Sequence, residues 1–309
     1  MRRQSGPPSR SSSKSRRPQS GGRSPQSGGR SAPSGGRPAP SGGPRGPAPK
    51  AGSSRGDFIN VPKGGRLIMG DHAIREAFAA KVASLETLIL IDNWRDNETL
   101  REIEELARAK RLRLETRTAV AMDRLGSHQG ALLIAKDQPS VEIEDLLKLE
   151  SATIVALDGV EDPHNLGAVL RTSWLMGVNA VLIPEDRAVG LTPVAHKVAA
   201  GGAEHVPVLR DNNFSSVFAQ LKEAGYWIFG LSHEAKSEIY ELDIPAKVVW
   251  VMGAEDKGLR SSTERACDEL IRIPQVEASA SYNVSVATAM ILSEGYRQAK
   301  VQASAQPQK

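Results

Sequence analysis

Between residues 57 and 136 the hydrophobic pattern alternates between helical and extended periods. Residues 71–81 (DHAIREAFAAK) read as an amphipathic helix, 85–91 (LETLILI) as a strand, and 98–110 as a charged helix with apolar positions at Leu100, Ile103, Leu106 and Ala107. Residues 113–116 and 131–135 supply further strands, the latter after His128-Gln129-Gly130. Such a stretch makes a small α/β domain. Residues 137–151, with Pro139 and then an acidic amphipathic run, read as a linker. From Thr153 the rhythm becomes that of a mostly parallel sheet covered by helices. Strands are predicted at 153–157, 180–183, 206–209, 226–230, 247–252 and 270–273, and helices at 166–176, 193–200, 214–224 and 283–300. Ligands of such sheets sit at the carboxyl ends of the strands, so the loops there should carry the chemistry.

The last of these helices stands apart. From 284 to 292 the apolar positions are 284, 286, 287 and 289 to 292, too continuous for a surface helix, which predicts one buried all round. It is too short to span a membrane. Ser281 and Asn283 stand at its N-terminal end, where side-chain oxygens can cap the helix and unpaired N–H groups can meet a ligand. An ordinary cap on a core helix would look the same.

Composition separates a tail from the rest. The first 55 residues hold twelve Lys/Arg, no Asp or Glu, no aromatic residue and 10 of the 19 prolines, a mixture that cannot bury enough apolar surface to offset its ordering entropy and predicts disorder. The remainder carries 28 basic against 36 acidic residues, so the formal charge of +4 divides into +12 and −8. Within the tail, Ser-Gly-Gly-Arg recurs at 20–23, 27–30 and 34–37, followed by Ser-Gly-Gly-Pro at 41–44. Mobile, arginine-spaced sequence of this kind presents positive charge as nucleic-acid-binding tails do, and a solubilising extension is the alternative. Without aromatics to stack on bases, any RNA attraction should be salt-sensitive and weakly sequence-specific. The single Cys267 excludes an intramolecular disulfide or a cysteine metal cluster and fits a reducing cytosol. The six histidines show no metal-ligand spacing, so no metal is expected. With no apolar leader and no run of 18 apolar residues, the chain is expected to be cytoplasmic with no membrane partner.

Two further loops carry candidate chemistry. In Asp158–Arg171 (DGVEDPHNLGAVLR), Asn165 is placed to cap the following helix. Arg171, between Leu170 and Trp174, either carries its head to solvent or reaches into a cleft. In 252–259 (MGAEDKGL), two glycines five residues apart follow a very apolar strand and allow a bound molecule to approach the backbone, unless they merely make a tight turn. Neither GxxxxGK[ST] nor GxGxxG is present, which counts against nucleotide hydrolysis and the usual dinucleotide fold.

Taken together, DGVEDPHNLGAVLRT, VMGAEDKGL and IPQVEASASYNVSVA resemble, in order and separation, the three motifs of the SpoU/TrmH group of the SPOUT superfamily, RNA ribose 2′-O-methyltransferases that use S-adenosylmethionine. The resemblance covers residues 153 to about 298. Residues 66–136, with Ile68-Met69-Gly70, Ala73-Ile74 and His128-Gln129-Gly130, resemble the L30e-like substrate-binding domain that precedes many members. It implies an α/β fold whose C-terminal, mostly parallel sheet is tied into a deep trefoil knot, an exception to the rule that chains do not thread their own loops. The implied organisation is a disordered basic tail (1–56), the L30e-like domain (57–136), a linker (137–151), the methyltransferase domain (152–300) and a flexible C-terminus (301–309). The implied catalytic residues are Asn165, Arg171, Glu255, Ser281 and Asn283. The cofactor, S-adenosylmethionine, would be held by Gly230, Leu231, Met252, Gly253, Gly258, Ile273, Tyr282 and Asn283. A homodimer through the C-terminal domain is implied, with the helix from Asn283 at its interface and both subunits contributing to each site.

The third motif usually reads IPMxGxxxSLN, so Gln275 stands for Met, Glu277 for Gly and Tyr282 for Leu; Ala199 replaces a frequent serine. Glu277 adds bulk and a carboxylate where glycine would let a ligand reach the backbone, and is expected to weaken cofactor binding. The resemblance implies methylation of a ribose 2′-OH in structured RNA, ribosomal in preference to transfer RNA because of the added N-terminal domain. The competing reading is a non-catalytic RNA-binding or ribosome-assembly factor on the same scaffold.

Overall fold

The structure, a computed structural model, describes residues 59, 61–62, 65–80, 84–136, 140–186, 190–277 and 280–305. The basic tail expected over 1–56, the first residues of the expected linker and residues 306–309 lie outside the described residues.

The first unit contains β1 (Arg66–Met69), α1 (Asp71–Ala79), β2 (Leu85–Ile91), α2 (Glu98–Ala109), β3 (Arg113–Arg117), α3 (Ala119–Asp123) and β4 (Ala131–Ala135). Its sheet runs β1-β4-β2-β3, with β2 and β3 parallel and β4 antiparallel to both neighbours. The strands bury alternate residues on opposite faces, as their period of two requires. Ile68, Leu88, Leu90 and Leu133 pack under α1 and α2, whereas Leu67, Ile89 and Leu132 pack with Met122 of α3. The helix α2 starts where the Asn97 side chain accepts a hydrogen bond from Leu100 N, a cap that satisfies one of the orphan amides of the first turn.

The second unit contains α4 (Ile143–Leu147), β5 (Ala152–Asp158), α5 (Pro163–Leu175), β6 (Ala180–Ile183), α6 (Pro193–Ala199), α7 (Gly202–His205), β7 (Val208–Arg210), α8 (Phe214–Glu223), β8 (Trp227–Leu231), β9 (Ser237–Glu238), β10 (Lys247–Gly253), α9 (Ser261–Ala266), β11 (Glu269–Arg272) and α10 (Val284–Ala305). Its strands lie in the order β7-β6-β5-β10-β8-β11-β9, and every pairing is parallel. Both faces are covered, which is why strands such as KVVWVMG read as continuous apolar runs. Val248, Trp250 and Met252 of β10 face α5, α6 and α10, and Val249 and Val251 face α4 and α8. The chain steps outward from β5 through β6 to β7, then returns to place β10 on the other side of β5. That reversal opens a crevice beyond the carboxyl ends of β5, β10, β8 and β11.

Four expectations need correction. Within the stretch read as a linker (137–151), Ile143–Leu147 fold as α4. Its Leu146 is buried in the core, and Tyr226 donates its hydroxyl to the Leu146 carbonyl at 2.7 Å, so these residues belong to the second unit's packing. The C-terminal helix continues to Ala305, past the boundary expected at residue 300. It is also not buried all round. Val284, Ala287, Thr288, Ile291 and Leu292 face the core, whereas Val286 and Tyr296 are exposed, because the sheet can cover only one side of it. Finally, α5 begins at Pro163 and is capped by Asp162, whose carboxylate accepts from His164 N at 2.8 Å; Asn165 lies inside the first turn. Proline suits that first position because its missing N–H is one the helix would leave unpaired. No helix among the described residues is long and apolar enough to cross a membrane.

Candidate active site

Three segments distant in sequence meet at the carboxyl end of the second sheet. Asn165, in the first turn of α5, donates its amide to Glu255 Oε1 at 2.9 Å. Asn283 donates its own amide to the same oxygen at 2.7 Å and to Asn165 Oδ1 at 3.0 Å. The orientation of Asn283 follows from its other end, because Oδ1 accepts from Ser285 N at 2.9 Å and from Ser285 Oγ at 2.6 Å. An oxygen must therefore face the helix and the two amide hydrogens must face Glu255 and Asn165. Asn283 is also the cap of α10, its carbonyl accepting the first helical hydrogen bond from Ala287 N. Asn165 is buried and Glu255 and Asn283 are exposed, so the junction runs from the interior to the surface.

Beside this junction lies a cleft of about 440 Å³, within the usual range for small-molecule sites. Its walls come from the segments after β8 (Leu231–Glu234), after β10 (252–259) and after β11 (271–275), with residues 280–282 and the first turn of α10. Leu231, Met252, Leu259 and Ile273 give it apolar wall; Glu234, Glu255, Asp256 and Glu264 outnumber Lys257 and Arg272 and give it net negative charge. A cleft with one apolar side and several carboxylates suits a cationic ligand that also carries a flat apolar group.

The loop after β10 owes its shape to two glycines used differently. Ala254 and Gly258 form an antiparallel bridge, with hydrogen bonds of 3.0 and 2.9 Å, so the loop closes back on itself. A Cβ on Gly253 would stand 2.2 Å from the carbonyl carbon of Gly258, which no side chain could tolerate. Gly258 has open space around it and a φ of +62°, so there the demand is on backbone conformation.

Of the residues expected to hold the cofactor, Leu231, Met252, Gly253, Gly258, Ile273 and Tyr282 line the cleft. Gly230 lies one residue deeper in β8, where a Cβ would press on Leu270, Cys267 and Leu259, and Asn283 adjoins the cleft through the junction. Ser281 lines the cleft and is exposed. Arg171 stands six residues along α5 from Asn165 and is exposed, so its head goes to solvent in the isolated chain. The departures in the third motif are resolved by geometry. Gln275 donates its amide to the carbonyls of Glu277 (2.9 Å) and Ala280 (2.6 Å), and the Tyr282 hydroxyl donates to Pro274 O at 3.3 Å, so both replacements brace the loop. Glu277 is exposed and, among the described residues, does not line the cleft.

Asp158, the first residue of the first motif, has a part that its position in the sequence does not disclose. It is 1% exposed at the end of β5 and accepts from Arg260 N at 2.9 Å and from the Arg260 guanidinium, tying the loop after β10 to the start of the first motif. An acidic residue closing a strand of apolar residues (ATIVALD) was the available signal, since a buried carboxylate must find donors. The cleft residues His233, Glu264 and Arg272 left no such signal.

A family model for the SpoU rRNA Methylase family matches residues 152–293. The chain is 37% identical over 239 residues to the 23S rRNA (guanosine-2′-O-)-methyltransferase RlmB of Bordetella pertussis, covering 75% of this chain and 97% of that protein. With the protein of the same name from Nitrosomonas europaea the identity is 38% over 239 residues, covering 75% and 92%. Among solved structures, the SpoU methyltransferase AviRb of Streptomyces viridochromogenes in complex with the cofactor AdoMet superposes with a TM-score of 0.67 at 20% identity, covering 77% of this chain and 91% of that one, a similarity of fold.

Proposed function

Because the chain belongs to the SpoU rRNA methylase family, we propose that it transfers the methyl group of S-adenosylmethionine to a ribose 2′-OH of 23S ribosomal RNA, as the RlmB proteins are named for doing at guanosine. The observation that carries this reading is the junction of Asn165, Glu255 and Asn283, which joins all three motif segments at the edge of a cleft of the right size and charge. The cofactor supplies an electrophilic methyl group on a sulfonium. Its positive charges suit the carboxylates of the cleft, its adenine suits the wall of Leu231, Met252 and Ile273, and the Cβ-free turn at Gly253 lets the loop close around it. Arg171 stabilises the negative charge that develops on the attacking oxygen and holds the neighbouring phosphate; a guanidinium scarcely deprotonates, so it is not the base, and the hydroxyl proton is released to water as the methyl leaves the sulfonium and a neutral thioether remains. Asn165, locked by Glu255 and Asn283, and the exposed Ser281 orient the ribose.

Four finer readings accompany this one. The first unit acts as an L30e-like RNA-binding domain, a role supported by its mixed four-stranded sheet between helices. The strand order, with β10 set between β5 and β8 and β11 beyond β8, supports a trefoil knot in the last part of the sheet. A homodimer through α5 and α10 is supported by exposed apolar residues there and nearby: Leu175, Val286, Tyr296 and, between them, Tyr240. The basic tail adds non-specific attraction to RNA, a role supported by its charge of +12.

The test is transfer of labelled methyl from S-adenosylmethionine to a 23S rRNA transcript, followed by alkaline hydrolysis. A 2′-O-methyl leaves one phosphodiester resistant to alkali. Label recovered only on bases, or cofactor binding without transfer to any ribosomal RNA, overturns the reading in favour of a scaffold protein.

A further inference from the structure

The two units meet across a seam whose centre is charged. Arg66, on β1, makes a two-pronged contact with Glu204, on α7, at 2.5 and 2.6 Å, with the arginine and glutamate side chains 8% and 1% exposed. His196 Nδ1 lies 3.4 Å from the same carboxylate and is equally buried. Toward solvent, Glu76 of α1 pairs with His205 of α7 at 3.0 Å, and the His205 ring stacks flat on Trp174 of α5 at 4.3 Å. Well-packed apolar residues would hold such a seam at least as tightly, since two buried charges lose as much hydration as their attraction returns. What a guanidinium fork adds is direction, because both hydrogen bonds are kept only in one relative orientation.

The short helix α7 passes that orientation on. Gly202 packs directly on the backbone of α5: a Cβ there would fall 2.6 Å from Leu170 O and 2.8 Å from the N and Cα of Arg171. Gly202 puts no Cβ between the two helices, so a shift of α7 bears directly on the α5 backbone at Leu170 and Arg171. We propose that Arg66 and Glu204 are positioning residues for methyl transfer: they fix the first unit on α7, and through Gly202 on Arg171, so that RNA held by the first unit delivers its ribose to one place. This rests on the activity proposed above and adds to it that the enzyme is a rigid gauge between RNA-holding surface and reacting centre. RNA bound to the first unit alone would otherwise swing, and small misplacements of a reacting group are expensive in rate.

The test uses the full chain carrying Arg66→Met together with Glu204→Gln, which removes both charges and leaves neither buried alone. Cofactor affinity by titration calorimetry should match wild type. On full-length 23S rRNA, kcat should fall by about 10-fold or more with KM for RNA changed less than about 3-fold, the signature of lost placement rather than lost binding. A short hairpin containing the modified nucleotide, too small to reach the first unit, should be methylated at equal rates by both proteins. Equal kcat on 23S rRNA overturns the proposal, and so does an equal loss on the hairpin, which would mean that the pair merely supports the catalytic fold. If the double variant does not fold, Glu76→Ala at the open side of the seam should show the same kcat-only loss at roughly 3-fold, and none overturns it. Should wild type fail on ribosomal RNA, the activity reading fails by itself. Hydrogen exchange then judges the seam, since unchanged protection of β1 and α7 in the variant would show that the pair does not hold the units together.

Discussion

Arg171 and Asn165 differ in how much of their setting is already built. Asn165 is held by two partners before any ligand arrives, whereas Arg171 is exposed. Arg171→Ala should therefore fold and bind cofactor normally while transfer falls by about 10²-fold or more, the scale for one electrostatic stabiliser; full activity would remove it from the mechanism. The loop after β11 yields a paired prediction. Gln275→Ala forfeits two hydrogen bonds to loop carbonyls, each contributing about 0.5 to 1.5 kcal/mol, and should weaken cofactor binding by roughly 10-fold. Glu277→Gly, an exposed change, should stay within about 0.5 kcal/mol. Calorimetry on both proteins checks this, and a large gain from glycine would restore the idea that Glu277 crowds the ligand. Glu204 makes a third case. Burial alone would push its carboxyl up, but hydrogen bonds from His196 and Arg66 outweigh that and hold it below the ordinary glutamate value of 4.5. Its contribution to stability is complete above that value and is lost as pH falls through the depressed one. Urea midpoints measured below pH 4.5 should thus drop more steeply for wild type than for the chain with Arg66→Met and Glu204→Gln.

Among the elements, the loop between β10 and α9 is the most constrained, because one glycine answers a steric demand and the other a conformational one. Gly253→Ala places a methyl 2.2 Å from backbone that cannot move aside, so the turn must open and cofactor binding should be lost. Gly258→Ala meets nothing and should cost only about 1 kcal/mol, the usual penalty for a left-handed alanine. Calorimetry separates the two, and equal effects would show that the turn tolerates reshaping. The helix α10 is likewise two-sided: its inner face packs on the sheet, and Gln298 accepts from Ile244 N at 3.0 Å and donates to Leu242 O at 2.9 Å. Its outer face keeps Val286 and Tyr296. With the homodimer proposed through this face, a charge there, as in Val286→Asp, should shift the protein toward monomer in analytical ultracentrifugation without unfolding it, and an unchanged sedimentation profile would overturn that dimer.

At the scale of the molecule, charge is divided between a tail of +12 and a remainder of −8. Removing residues 1–55 should leave the thermal transition nearly unchanged, since that composition offers no core, but should weaken RNA binding at low salt and flatten the dependence of log K on log salt. An identical salt slope with and without the tail would show that it does not touch RNA.

Most strands of both sheets were legible from residues alone, because strand and helix periods are local properties: 85–91, 131–135 and 180–183 carry the bounds expected of them, whereas β1 and the two-residue β9 were not expected. So were the motif segments, whose glycines and polar residues follow apolar strands in an order that chance rarely repeats. Short helices such as α4 and α7 were not, since four or five residues hold too little pattern to outweigh their tertiary setting. Nor could the pattern along α10 tell a face covered by the sheet from one left open, because periodicity measures apolarity and not what covers it. Only the tertiary structure joined Asn165, Glu255 and Asn283 at one oxygen, gave Asp158 its partner in Arg260, and set Arg66 against Glu204 across 138 positions of sequence. Hydrogen bonds and ion pairs act over a few ångströms of space, and the sequence distance between their partners carries no trace of it.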